Sequence, residues 1–170
     1  VDRYLCPACR GTLPRQIGKY PVLGFLGAGG MGQVYKARHP ELQRIVAVKV
    51  VQHRDGDAGF AERFEREARL LASLEHPGVV QIFDSGREGD RRFLVMELVQ
   101  GRPLQELIGD GLPPSRATAL AAQVARALHY AHEQGVIHRD IKPSNIIVED
   151  GDRARLLDFG LARVLVEDSK

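Results

Sequence analysis

Between two stretches rich in β-forming residues, Tyr20 to Leu26 and Gln33 to Arg38, the chain reads Gly27-Ala28-Gly29-Gly30-Met31-Gly32-Gln33-Val34. Missing side chains let backbone N–H groups come close to an anionic ligand, so such a segment suits phosphate. The residues after the glycines narrow the fold. A dinucleotide-binding unit needs a helix that starts within the loop, and a Walker-type loop needs Gly-Lys-Ser/Thr. Here a second strand, Val34-Tyr35-Lys36-Ala37, comes instead. The pattern is strand, glycine loop, strand.

The rest of the chain extends this into an antiparallel meander. A third β-type run spans Ile45 to Gln52 after the break at His39-Pro40. Phe60, Phe64, Leu71 and Leu74 recur at helical spacing, and His76-Pro77-Gly78 stops that helix. Two more strands are expected at Val79 to Ser85 and Arg92 to Leu98, joined by Gly86 to Asp90. After Gly101-Arg102-Pro103 the character turns helical: a short helix near Leu104 to Ile108, then a long one from Ser115 to Glu133 with Gly135 as its stop. Its stripe Leu120, Val124, Leu128 and Ala131 reads as buried core, and His129 and His132 read as last-turn residues suited to the helix dipole. Short strands close the chain at Ile146 to Val148 and Arg155 to Leu157. The expected class is α+β, with a leader and linker at 1–18, a sheet-based lobe at 19–98 and a mostly helical part at 99–170.

Composition excludes several functions. With 24 basic and 22 acidic side chains mixed along 170 residues, the net charge of +2 argues against a nucleic-acid or membrane-surface partner. No apolar run approaches the roughly 18 residues of a membrane span, and the start lacks a signal peptide's apolar core, so a cytoplasmic location is the expectation. The first residue is Val rather than Met and the last motif lies near the end, so both termini read as cuts. Both cysteines fall in Cys6-Pro7-Ala8-Cys9, a spacing that suits half of a zinc site. The other half has no matching residues nearby, and the alternative is a pair of reduced thiols.

Chemistry is concentrated in three places besides the glycines. Alternation along Val46-Ala47-Val48-Lys49 puts Ala47 and Lys49 on one strand face and Val46, Val48 and Val50 on the other. A cation in an apolar strand needs a carboxylate partner, because burying a lone charge is costly. Glu67 falls in the middle of the apolar arc of the first helix, whereas Glu62 and Glu65 point elsewhere. Further on, His138-Arg139-Asp140-Ile141-Lys142-Pro143-Ser144-Asn145 precedes Asp158-Phe159-Gly160. Asp140 is of the type that accepts a hydroxyl proton, and Asn145 and Asp158 offer oxygens that suit Mg²⁺.

In this order and spacing the motifs resemble the signature set of the protein kinases, from about Tyr20 to the end of the chain. Leu-Gly-Ala-Gly-Gly-Met-Gly-Gln-Val-Tyr with His-Arg-Asp-Ile-Lys-Pro-Ser-Asn is similar to the eukaryotic-like serine/threonine kinases of bacteria. The resemblance implies a two-lobe fold: an antiparallel sheet with one helix, then the first, mostly helical part of a second lobe truncated after Asp158-Phe159-Gly160. It implies that Gly27, Gly29 and Gly32 cover the phosphates of ATP and that Lys49 contacts the α- and β-phosphates while pairing with Glu67. It implies Asp140 as catalytic base, with Lys142 steadying the transferring phosphate and Asn145 and Asp158 holding Mg²⁺. Leu26, Val34, Ala47 and Ile147 would line the adenine site, Met96 would be its gatekeeper, and the backbone of Glu97 to Val99 its hinge. Arg139 would pair with a phosphate on the activation loop. Protein substrates with Ser or Thr are implied as partners, with self-association for autophosphorylation. The chain stops ten residues after Gly160, so Phe159 and the long helix are expected to lack packing partners and the fragment to be inactive alone. Two other readings are a nucleotide-binding module without catalysis, and a kinase of small alcohols that shares the Asp and Asn logic.

Overall fold

Val46, Val48 and Val50 alternate with Ala47 and Lys49 along one strand, and the first unit of the fold is built around that alternation. The computed structural model describes residues 13–29, 32–51 and 59–159. They group into two compact units: residues up to Ala68 with Ile82–Leu98, and Arg69–Gln81 with the residues from Val99 onward. The first holds a sheet of six strands, β1 (Gln16–Ile17), β2 (Tyr20–Gly29), β3 (Gly32–Arg38), β4 (Ile45–Val51), β5 (Ile82–Glu88) and β6 (Arg91–Glu97), in the order β1-β2-β3-β4-β6-β5. All neighbours are antiparallel. One face buries Val46, Val48 and Val50 with Tyr20, Phe25, Tyr35, Phe93 and Val95. Each such side chain contributes about 1.5–3 kcal/mol through removal of apolar surface from water.

The sheet curls so that its first strands meet β5. The Tyr20 hydroxyl donates to the Asp84 carboxylate, the Gly18 N–H donates to the Glu88 carboxylate, and Lys19 lies 3.9 Å from Asp84. Burial and the Asp84 contact push the Tyr20 phenol well above its ordinary range. This corrects one expectation. The turn-rich stretch read as a linker up to Gly18 contains β1, and Ile17 is only 3% exposed. Two strand residues are too few to show periodicity, and their burial depends on a partner strand.

Strand ends also differ. β2 runs on to Gly29, with register shifts between Val22 and Gly24 and between Phe25 and Gly27, which leave Leu23 and Leu26 out of the pairing. β5 starts at Ile82, because Val79 forms a lone parallel bridge with Leu156 instead. The first helix, α1 (Phe60–Ala72), buries Phe60, Phe64, Ala68 and Leu71, as its 3.6-residue period requires.

The second unit contains β7 (Arg102–Pro103), α2 (Leu104–Gly109), α3 (Pro114–Glu133), a 3₁₀ turn at Pro143–Asn145, β8 (Ile146–Glu149) and β9 (Arg153–Leu156). β7, β8 and β9 form a three-stranded sheet. Pro114 opens α3 where no N–H partner is needed, and Gly135, at φ +75°, follows its end. Leu120, Ala127 and Ala131 are buried along α3, as are Ile146, Val148, Ala154 and Leu156 in the strands. Gln123 of α3 joins the two: its amide N–H donates to Asp152 O at 2.7 Å, and its oxygen accepts from Ala154 N–H at 3.0 Å. Phe159, expected to lack partners, is only 5% exposed, its ring centroid 4.5 Å from that of His138. Exposed apolar side chains do flank this region at Ile137 and Ile141. No helix among the described residues is long and apolar enough to cross a membrane.

Candidate active site

Cross-strand partners share a sheet face, so the register locates the first group of candidate residues. Gly27, Val34, Lys49 and Leu94 form one row, and Lys36, Ala47 and Met96 form the next. Val34, Ala47, Lys49 and Met96 thus lie together on the face opposite the aromatic core. Lys49 is only 3% exposed. Leu26 stands in the bulge beside Gly27 and is partly exposed. Glu97 ends β6 opposite Val46. Glu67 lies on α1 between the buried Phe64 and Leu71 and is half-buried, whereas Glu62 and Glu65 are exposed.

The glycines divide by what surrounds them. A Cβ at Gly32, where φ is +135°, would stand 2.0 Å from Val50 O, so the hairpin itself demands glycine there. A Cβ at Gly27 or Gly29 would meet nothing within 4 Å. Nothing among the described residues fills the space over these two positions, which leaves their backbone open to a ligand's phosphates. Gly30 and Met31 lie outside the described residues, as do Cys6, Cys9 and Gly160.

The second unit gathers the other group. Lys142 Nζ donates to Asp140 Oδ2 at 2.7 Å, and Asn145 Nδ2 donates to Asp140 O and Oδ2 at 2.9 and 3.0 Å. The Lys142 bond, reinforced by Asn145, holds the Asp140 carboxyl below the usual carboxylate range. Oδ2 carries both bonds, which leaves Oδ1 to receive a proton. Asn145 is buried in the 3₁₀ turn after Lys142, and with its amide nitrogen spent on Asp140 its side-chain oxygen is the atom left for a cation. Leu157 N–H donates to Asn145 O at 2.8 Å, which ties the strand leading to Asp158 directly to that turn.

His138 completes the cluster, and the sequence alone assigns it no role. It is 1% exposed; its Nε2–H donates to Leu157 O at 2.7 Å, and its Nδ1 accepts from Asp140 N–H at 3.3 Å. One nitrogen donates and the other accepts, as neutral imidazole requires, and burial pushes its pKa down. His138 therefore links the backbone of Asp140 to that of the residue before Asp158. The signal is present as a histidine two residues before a catalytic-type aspartate, but only tertiary contact reveals its partners. Arg139 and Asp158 adopt left-handed backbone, φ +65° and +58°. For a side chain other than glycine this costs about 1–2 kcal/mol, and the hydrogen bonds on either side hold it. Val99 and Ile147 also belong to this unit; both are half-buried, with Ile147 in β8 opposite Pro103 and Arg155.

Among the described residues no three or more His, Cys, Asp or Glu converge as a self-sufficient metal cage. Mg²⁺ does not need one, since it is commonly held by one or two carboxylates together with a nucleotide's phosphates. Asp158 and the Asn145 oxygen fit that donor set.

Known proteins match this arrangement. Residues 20–170 fit the family model for the protein kinase domain. The chain is 48% identical over 157 residues to the serine/threonine-protein kinase pkn2 of Myxococcus xanthus, covering 89% of this chain and 19% of that protein. It is 38% identical to PknB of Mycobacterium leprae, covering 93% and 26%, and 40% identical to PrkC of Bacillus subtilis, covering 87% and 23%. The chain thus spans about a fifth to a quarter of the length of these curated relatives. Among solved structures, the PknI kinase domain of Mycobacterium tuberculosis superposes with a TM-score of 0.78 at 32% identity, over 88% of this chain and 62% of that one. With the glycine hairpin, the buried strand lysine and the Asp140 cluster in place, this chain belongs to the protein kinase domain family and has the fold of the bacterial serine/threonine kinases.

Proposed function

We propose that the protein containing this chain transfers the γ-phosphate of ATP to Ser or Thr hydroxyls of protein substrates, itself among them. The observation that supports it most is the state of Asp140: a carboxylate with Oδ2 bonded to both Lys142 and Asn145, and Oδ1 left to receive a hydroxyl proton.

In this reading Gly27 and Gly29 bring backbone N–H groups to the phosphates, with Gly32 shaping the hairpin that carries them. Lys49 contacts the α- and β-phosphates, and Glu67 is its partner. Leu26, Val34, Ala47 and Ile147 line the adenine site, Met96 limits its depth, and the backbone of Glu97 to Val99 hydrogen-bonds the base. Asn145 and Asp158 would hold Mg²⁺, which supplies positive charge against the phosphate oxygens. The substrate hydroxyl oxygen attacks the γ-phosphorus, the bond from that phosphorus to the β,γ-bridging oxygen breaks, and the hydroxyl proton passes to Asp140 Oδ1. Because Lys142 keeps Asp140 acidic, the carboxylate is a weak base. Its main contribution is to orient the hydroxyl and to take the proton late, when charge has already moved to the phosphate. Lys142 is placed to steady the phosphoryl group beside it. The domain division at 98/99 belongs to the same proposal, as does pairing of Arg139 with a phosphate on the activation loop.

The test is Mg²⁺-dependent incorporation of labelled γ-phosphate by the full-length protein, with the labelled residues mapped. Label on Ser or Thr that Asp140→Asn removes supports the reading. Bound nucleotide without transfer would make the protein a nucleotide-binding module instead.

A further inference from the structure

The aromatic face of the six-stranded sheet carries one row of cross-strand partners that runs from β5 to the glycine hairpin. Gly86 of β5 pairs with Phe93 of β6, Phe93 with Val50 of β4, Val50 with Gln33 of β3, and Gln33 with Ala28 of β2. Partners in register share a face, their Cβ atoms about 5 Å apart. Ala28 and Gln33 are the last pair before Gly29 and Gly32, so this row lies behind the hairpin, on the face away from Lys49. Val50 meets the hairpin in a second way, because the backbone at Gly32 comes so close that a Cβ there would stand 2.0 Å from Val50 O.

At the other end of the row the Phe93 ring is enclosed from two sides. A Cβ at Gly86 would stand 2.4 Å from Phe93 Cζ, and one at Gly18 would stand 2.7 Å from the same atom. Gly18 also takes φ +55°, whereas Gly86 keeps an ordinary φ, so at Gly86 the ring alone demands glycine. Gly18 is fastened in place. Its N–H donates to the Glu88 carboxylate, and just before it Arg15 O accepts from Val22 N–H at 3.0 Å while Ile17 is buried. Tyr20 meets the Phe93 ring edge-on, centroids 6.0 Å apart. Gln16 to Gly18 thus form a strap across the ring, and a ring packed this closely moves only if its neighbours move.

We propose that Phe93 is a positioning residue for the glycine hairpin: held between Gly18 of the strap and Gly86, it fixes Val50, and Val50 fixes where Gly32 folds the hairpin over a nucleotide. That a nucleotide binds there rests on the kinase reading. Gly86→Ala adds one methyl where the ring stands and touches no residue of the proposed site. In the full-length protein it raises the Kd for Mg²⁺-ATP about three- to tenfold, a share of the strain that overpacking brings. It leaves kcat unchanged and raises amide hydrogen exchange over residues 27–34. Adding Phe93→Leu removes the overlap and restores part of the affinity, so the two changes together cost less than their sum. Glu88→Ala frees the Gly18 N–H and acts in the same direction, whereas Glu88→Gln keeps an acceptor oxygen and behaves as the wild type. The Glu88 variants decide the matter if Gly86→Ala does not fold. Affinity and hairpin exchange unchanged in Gly86→Ala and Glu88→Ala, with only the melting temperature lowered, would make Phe93 a core residue alone and overturn the proposal. Losses that multiply when Phe93→Leu is added to Gly86→Ala would overturn it too. A wild-type protein that binds no Mg²⁺-ATP would instead overturn the kinase reading, and exchange over residues 27–34 would still decide whether Phe93 holds the hairpin.

Discussion

Asp140, the base of the proposed reaction, is kept acidic by its own neighbour. The Lys142 ammonium bonds its Oδ2 and lowers its pKa, so the carboxylate stays ionised, and able to accept a proton, to a lower pH than an ordinary aspartate. Its folded-state pKa lies below the unfolded one, so the ion pair's contribution to stability is present above the unfolded pKa of about 3.9 and is lost as pH falls through the folded value. Lys142→Met removes the largest cause of that shift. The acid limb of the pH profile of kcat/KM is then expected to move to higher pH, with activity near pH 7 lowered but not abolished, since Asp140 remains ionised there. A limb that stays in place would mean that the ionisation seen in the profile is not that of Asp140. His138 belongs to this scale as well. Its place beside Asp140 is legible as spelling, but its bond to Leu157 O spans nineteen positions and becomes visible only once the strands have paired.

Strand alternation and helical period are local signals, and the elements that depend on them can be read directly. Both faces of Val46 to Val50 are buried, and alternation sorts them, with the three valines in the aromatic core and Ala47 and Lys49 outside it, while the arc of Phe60, Phe64 and Leu71 places Glu67 on the half-buried side of α1. Elements without a period escape such a reading: β1 has two residues, and Val79 leaves its expected strand for a bridge to Leu156. The glycine hairpin lies between these cases. Its sequence shows that the backbone is bare, but not which glycine serves the fold and which serves a ligand. Gly32→Ala is expected to destabilise the sheet by several kcal/mol, because its Cβ would overlap Val50 O in a left-handed backbone. Gly29→Ala has open space around it and should melt within about 1 kcal/mol of the wild type, while its affinity for Mg²⁺-ATP falls. Thermal denaturation and nucleotide titration of the two variants check this. A Gly29→Ala protein that binds nucleotide as tightly as the wild type would remove the phosphate role from that position.

At the scale of the whole molecule, the candidate residues divide between the two units. The face that carries Val34, Ala47, Lys49 and Met96 belongs to the unit built on the six-stranded sheet, and Asp140, Asn145 and Asp158 belong to the unit built on α3. If the first group holds ATP and the second performs transfer, single substitutions should separate binding from turnover. Lys49→Met removes charge-assisted hydrogen bonds to the phosphates, each worth about 1.5–3 kcal/mol, and should weaken nucleotide affinity by about ten- to a hundredfold while also lowering turnover. Asp140→Asn keeps the shape of the side chain and loses only its capacity to accept a proton. It should bind nucleotide nearly as the wild type does and lose about 10²- to 10⁴-fold in kcat, the range for a positioned general base. Equilibrium nucleotide titration beside single-turnover phosphotransfer, on the wild type and both variants, tests the division. Equal loss of affinity in the two variants would show that Asp140 contributes to ground-state binding, and equal activity of Asp140→Asn would remove it as the base. The predicted asymmetry, with affinity lost in one unit and turnover lost in the other, is what a kinase requires if it is to hold ATP before its protein substrate arrives.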